Sequence, residues 1–195
     1  MELVRDHALV LASGNAGKLR ELRELLQPIG FLLRPQSDWD TPEAVEDGLT
    51  FVENALIKAR NACAHAGHPA IADDSGLVVP ALGGAPGIRS ARYGGEPRSD
   101  AANNEKLLRA MRDLRGDDRA AYFYCAMVLA RSPDDPAPLV ATASWWGEIL
   151  PEPRGEGGFG YDPLFLLPEQ GCSSAELPPQ TKNRLSHRGQ AVRAL

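Results

Sequence analysis

Apolar and polar positions along this chain switch repeatedly between strand-like runs and helical spacing. Ala8-Leu9-Val10-Leu11-Ala12 is an unbroken apolar run and predicts a buried strand, with His7 at its start. Ser13 to Lys18 follows as a turn. Leu19, Leu22, Leu25 and Leu26 then recur at helical spacing, with Arg20, Glu21, Arg23 and Glu24 on the other face. Pro28 and Gly30 end that helix, and Phe31-Leu32-Leu33 predicts a second strand, giving the βαβ opening of an α/β fold. Residues 35–49 are polar and irregular. Thr50 and Glu53 form a capping box for a second helix, whose stripe is Val52, Ala55, Leu56, Ala59 and Cys63 and whose C-terminal cap is Gly67.

Ala70-Ile71-Ala72 leads into Asp73-Asp74-Ser75-Gly76, which fits a strand-to-turn junction. Residues 83–95 are too rich in Gly and Pro for regular structure. Asp100 is placed as the cap of a third helix carrying Leu107, Leu108, Met111 and Leu114 and ending at Gly116. Residues 121–130 make the strongest strand pattern. Residues 139–144 return as its hairpin partner, Gly155 to Gly160 is a loop, and Leu164 to Leu167 is a short strand. Ser186 caps a last helix that runs to Leu195.

Length changes little in this picture: 195 residues make one domain, or one domain in two lobes, with room for a sizeable core. Cys63, Cys125 and Cys172 are isolated, which argues against a disulfide framework or a zinc site and fits a reducing cytoplasm. The N-terminus lacks the basic start and apolar core of a signal peptide, and no stretch approaches the ~20 apolar residues of a membrane span. A net charge of −5 makes a general nucleic-acid binder a poor reading. Phosphate, if handled, is handled locally.

Candidate chemistry then concentrates in five stretches. Adjacent Asp73 and Asp74 repel, and a hard cation such as Mg²⁺ is the usual remedy. The turn Ser13-Gly14-Asn15-Ala16-Gly17-Lys18 offers helix N-terminal N–H groups and a lysine to a phosphate. It is not a Walker A loop, because Ala12 and Leu19 stand where that pattern needs Gly and Ser or Thr. Asn54 and Lys58 share one helix face. Phe159, flanked by Gly158 and Gly160, can stack on a base. His187 and Arg188 put cations at a helix start, where the dipole disfavours them. Taken singly, each stretch also fits a structural role: a solvated junction, an ordinary turn, a helix surface, a loop anchor, a surface pair.

Together, and in order, these motifs resemble the inosine triphosphate pyrophosphatase family, the XTP/dITP diphosphatases. They run Ser13-Gly14-Asn15-x-x-Lys18, then Thr50-Phe51-x-Glu53-Asn54-Ala55 with Lys58, and Ala72-Asp73-Asp74-Ser75-Gly76-Leu77. Gly83-Gly84-x-Pro86-Gly87, Ser90-Ala91-Arg92-Tyr93, Gly158-Phe159-Gly160-Tyr161-Asp162-Pro163 and Ser186-His187-Arg188-Gly189 follow. Ser13 stands where Thr is common, and the hydroxyl survives. The resemblance implies an α/β fold: a long mixed twisted sheet flanked by helices, one domain over residues 1–195 in two lobes with a central cleft. It implies a cytoplasmic homodimer that hydrolyses ITP, dITP and XTP to the monophosphate and pyrophosphate with Mg²⁺, cleansing the nucleotide pool. By position Asp74 is the general base and a metal ligand, and Glu46 the second metal ligand. Ser13, Gly14, Asn15, Ala16, Gly17 and Lys18 take the triphosphate with Lys58, and Ser75 touches substrate. Phe159, Gly160, Tyr161, Asp162, Lys182, His187 and Arg188 take the nucleoside. The competing classes are a nucleotide-binding sensor and a metal-dependent phosphomonoesterase.

Overall fold

The computed structural model describes residues 8–27 and 30–195. The readings of His7 as a strand start and of Pro28 as a helix stop lie outside the described residues. Seven strands form one mixed sheet: β1 (Leu9–Leu11), β2 (Leu33–Pro35), β3 (Ala70–Val78), β4 (Ala120–Ala130), β5 (Leu139–Ile149), β6 (Phe165–Leu167) and β7 (Cys172–Ser173). Their order is β2-β1-β3-β4-β5-β6-β7. β1 pairs in parallel with β2 and β3, with Leu9 opposite Leu33 and Leu11 opposite Ile71. β6 pairs antiparallel with both β5 and β7. The helices are α1 (Ala16–Leu26), α2 (Phe51–Ala66), α3 (Asp100–Ala110), α4 (Pro179–Leu185) and α5 (His187–Ala194). α1 and α2 are the crossovers that parallel neighbours require. The twisted mixed sheet flanked by helices is the fold class expected from the sequence.

The chain divides into two compact units. The first comprises residues 8–27, 30–74, 125–143 and 188–195, and the second residues 75–124 and 144–187, so β3, β4 and β5 contribute to both. The first unit has a core of Leu9, Leu11, Leu22, Leu26, Ile71, Cys125 and Met127, joined by Ala191 and Val192 of α5. The second packs Leu77, Leu107, Met111, Phe123, Trp145, Tyr161, Phe165 and Leu167.

Several elements differ from their sequence patterns. β3 does not turn at Asp73-Asp74 but runs on to Val78, because it is an inner strand with a hydrogen-bonded neighbour on each side. Phe31 belongs to the turn closing α1, where its N–H donates to Leu26 O at 3.3 Å, so β2 starts two residues later. Ser99, not Asp100, caps α3: its hydroxyl accepts from Ala102 N, and the helix ends at Ala110. β5 continues to Ile149, carried by the buried positions Ala141, Trp145, Gly147 and Ile149. A short 3-10 turn occupies Gly87–Arg92, and another over Asp162–Leu164 takes Leu164 out of β6. The last helical stretch is split in two: α4, which the sequence pattern did not show, ends at Leu185, and Ser186 stands extended just before α5, at the position the sequence gives its cap.

Candidate active site

In the first unit, the end of β1 and the start of α1 build an anion-binding turn. Ser13 Oγ accepts from Asn15 N at 3.2 Å, and Asn15 Oδ1 caps α1 by accepting from Lys18 N at 3.1 Å. The first-turn N–H groups of Ala16 and Gly17 have no intrahelical acceptor and point outward at an exposed helix end. A side chain on Gly14 would begin 3.2 Å from Glu43 Oε1, so the loop approaches that acid closely.

Lys18 reaches from α1 to Asp73 Oδ2 at 3.0 Å. Asp73 is fully buried, and Arg188 of α5 donates to the same oxygen from Nε at 3.3 Å and Nη2 at 3.2 Å. Arg188 also pairs with Glu21 through Nη1. Burial alone would raise the Asp73 carboxyl, but Lys18, Arg188 and Lys58 outweigh it and hold it far below the usual carboxylate range. Asp73 and Glu21 in turn hold the buried Arg188 guanidinium firmly protonated against its own desolvation. Beneath them the Cys125 thiol is pushed up to about 12 by burial, so it is an inert core group rather than a nucleophile.

Asp74 belongs to a different set. Lys58 Nζ lies 2.8 Å from Asp74 Oδ1 and 3.4 Å from Glu46 Oε2. Asn54 Nδ2 donates to Asp74 Oδ2 at 3.5 Å, and its Oδ1 accepts from Gly48 N at 2.9 Å, tying the Glu46 loop to α2. The capping box expected at Thr50 and Glu53 forms, and Gly67 ends α2 in the left-handed conformation. Burial raises the Asp74 carboxyl, and although Lys58 and Lys18 pull it back, it stays above its ordinary value. The two adjacent carboxyls are thus shifted in opposite directions.

The metal question turns on the donor set. Glu46 and Asp74 converge on one cation, Lys58, so their oxygens bound a small space that already suits positive charge. No group of three His, Cys, Asp or Glu side chains able to hold a metal exists among the described residues. Two carboxylates, completed by substrate phosphate and water, are the usual protein share of a Mg²⁺ site, so the residues fit that ion and not an all-protein cage.

The second unit holds the remaining predicted residues. Asp162 is buried, and its Oδ2 accepts from Phe159 N at 2.8 Å and from Lys182 Nζ at 2.6 Å. Ser174 Oγ donates to its Oδ1 at 2.8 Å. A side chain on Gly158 would begin 2.0 Å from Asp162 Oδ2, so this position takes only glycine. Lys182 Nζ lies 4.8 Å from the centroid of the Phe159 ring. Tyr161 Oη donates to Ser90 O at 2.8 Å, joining the aromatic loop to the 3-10 turn before it. His187 stacks on Phe123, with centroids 4.9 Å apart. Ser75 is half-buried on β3.

Of the residues expected from the sequence, Asp74, Glu46 and Lys58 meet in one cluster, while Lys18 pairs with Asp73. The sequence shows Asp73 only as half of a repelling pair with Asp74, Glu21 only as a charge on the polar face of α1 and Asp100 only as a helix cap, and it gives no signal for Asn104. Glu21 carried a faint signal: a charge four residues before Leu25, at the edge of the apolar stripe.

Known proteins resemble this chain over nearly its whole length. The model of the Ham1 family matches residues 9–195. The chain is 57% identical over 187 residues to the dITP/XTP pyrophosphatase of Thioalkalivibrio sulfidiphilus, covering 96% of this chain and 95% of that one. It is 55% identical over 187 residues to the dITP/XTP pyrophosphatase of Vibrio cholerae, covering 96% and 94%. The solved structure of a HAM1 protein from Coxiella burnetii superposes with a TM-score of 0.88 at 48% identity, over 96% of this chain and 95% of that chain.

Proposed function

This chain belongs to the Ham1 family, and from that membership we propose that it is a dITP/XTP pyrophosphatase. The reaction adds water across the α–β phosphoanhydride of dITP, XTP or ITP, releasing the nucleoside monophosphate and pyrophosphate. The observation that carries this reading is the split between Asp73 and Asp74. Asp73 is buried between Lys18 and Arg188, which hold its carboxyl low, while Asp74 meets Lys58 and Asn54 beside Glu46 and its carboxyl stays above the ordinary value. Environments that push two carboxyls apart in this way mark acid/base assignments.

In this mechanism the Ala16 and Gly17 N–H groups and Lys18 bind the triphosphate, and Lys58 adds charge beside the attacked phosphate. Asp74 orients the attacking water and accepts its proton as the phosphorus–oxygen bond forms. The bond to the pyrophosphate leaving group then breaks. Glu46 and Asp74 would hold Mg²⁺, which would supply a Lewis acid and a template for the polyphosphate. Asn54 keeps the Glu46 loop beside Asp74. Phe159 offers a stacking face to the purine, with Lys182 beside it.

A homodimer, a cytoplasmic location and clearance of these nucleotides from the pool complete the proposal. Static light scattering giving twice the chain mass is the expected result for the dimer. No helix among the described residues is long and apolar enough to cross a membrane.

Incubation with dITP and Mg²⁺ tests the reading through its products. Pyrophosphate and dIMP are expected in equal amounts. Orthophosphate would make the protein a phosphomonoesterase, and binding without any product would make it a sensor.

A further inference from the structure

The first turns of α3 hold the backbone of Gly160 from both sides. Asp100 Oδ2 accepts from Gly160 N at 2.7 Å, and Asn104 Nδ2 donates to Gly160 O at 3.0 Å. The two side chains are four residues apart, so one face of the helix presents an acceptor and a donor to one residue. Neither bond serves the helix, because Ser99 already caps it through Ala102 N at 3.3 Å. Asn104 keeps its own Oδ1 buried without a partner among the described residues. An unpaired buried acceptor is costly, and alanine at this helical position would avoid it. A local rule broken in this way points to a task outside the helix.

Gly160 lies between Phe159 and the Tyr161-Asp162 pair. The ring of Phe159 has Lys182 Nζ 4.8 Å from its centroid, and Asp162 binds both Lys182 Nζ and Phe159 N. Fixing the Gly160 backbone therefore fixes where the ring and the ammonium stand. We infer that Asp100 and Asn104 are positioning residues for base recognition: through Gly160 they set the Phe159–Lys182 platform on which the purine is read. This rests on the reading of Phe159 and Lys182 as base-contacting residues. Both residues act on substrate binding and leave the phosphate chemistry of Asp74, Glu46 and Lys58 untouched.

The test uses the full chain with Asp100→Ala, Asn104→Ala and Asn104→Asp, each alone and combined with Phe159→Ala. Asp100→Asn serves as the conservative rescue, since its side-chain oxygen still accepts from Gly160. Steady-state pyrophosphate release from dITP with Mg²⁺ is read beside thermal melts. Loss of one such bond predicts KM raised about fivefold for each alanine variant, with kcat within about twofold of wild type. Asn104→Asp keeps the side chain's shape and sets a carboxylate against the Gly160 carbonyl, so its KM rises further. Asp100→Asn recovers most of what Asp100→Ala loses. In the Phe159→Ala background each change adds less than about twofold, because residues acting through one group do not add. Unchanged KM, a fall in kcat at constant KM, or the full effect persisting without Phe159 overturns the inference. A wild-type enzyme inert toward dITP overturns the proposed function and this inference together, whereas an active wild type with insensitive variants overturns the inference alone.

Discussion

Asp73 and Asp74 follow one another on β3, and a strand sends successive side chains to opposite faces. Asp73 points with Ile71 to the side of α1 and α5, where Lys18 and Arg188 meet it. Asp74 points to the side of α2 and meets Lys58 and Asn54. Substitution should therefore separate their tasks. Asp74→Asn keeps the shape of the side chain and removes the proton acceptor, so turnover of dITP falls by about 10²–10⁴ while the melting temperature stays near wild type. Asp73→Asn takes away a buried anion shared by two cations, and breaking such a pair costs about 3–5 kcal/mol, which a thermal melt will register. Activity of Asp74→Asn within about tenfold of wild type would remove Asp74 as the base. The sequence made the aspartate pair conspicuous but not this division. Two like charges in a row read as a shared problem needing one cation, and only a strand running through both residues reveals two separate solutions.

At the scale of elements, what was legible was whatever depends on near neighbours. The Thr50–Glu53 capping box, the Gly67 cap and the leucine stripe of α1 are local and formed as read. α4 was not read, because Pro178-Pro179 looks like a break; yet proline is favourable in a first helical turn, where its missing N–H costs nothing. Asp100 resembled a cap because its real partner lies 60 residues away. The loop between β4 and β5 shows how a short segment can be fixed by one carboxylate. Asp135 accepts from Arg131 Nε, Nη2 and N and from Ala137 N. These bonds, the Arg131 side chain first, hold its carboxyl below the ordinary range. A carboxyl depressed in the folded state binds its proton more readily when unfolded, so its stabilisation is present above pH ~4 and fades as pH falls below that. Asp135→Asn should lower the melting temperature at pH 7, and the gap from wild type should narrow steadily as pH drops below about 4. A gap that is constant across that range would show that the loop is held by packing instead.

Across the whole molecule, residues of one chemistry are scattered in sequence and gathered by the fold. Ser13 to Lys18, Glu46, Lys58, Asp73, Asp74 and Arg188 belong to the first unit, while Ser75, Phe159 to Asp162, Lys182 and His187 belong to the second. The first set is charged and suits phosphates whichever base they carry. The second set is aromatic and hydrogen-bonding and suits a base. Lys18→Ala should accordingly lower kcat/KM for dITP, XTP and dATP by a common factor, since a point charge on the polyphosphate is blind to the base. Phe159→Ala should also weaken all three alike, because stacking is tolerant of base identity, at about 1–3 kcal/mol. Lys182 is different. Hypoxanthine and xanthine carry a 6-oxo acceptor where adenine carries an amino donor, and a site that donates to that oxygen leaves buried groups unpaired when adenine enters. Lys182→Met keeps much of the stem packed beside Phe159 and removes the donor, so it should narrow the ratio of dITP to dATP while Lys18→Ala leaves that ratio alone. The measurement is kcat/KM for the three nucleotides in wild type and the three variants. A Lys18→Ala enzyme with an altered base preference would sink the division of labour, and a Lys182→Met enzyme with the wild-type ratio would move base discrimination to another group, His187 being the next to test.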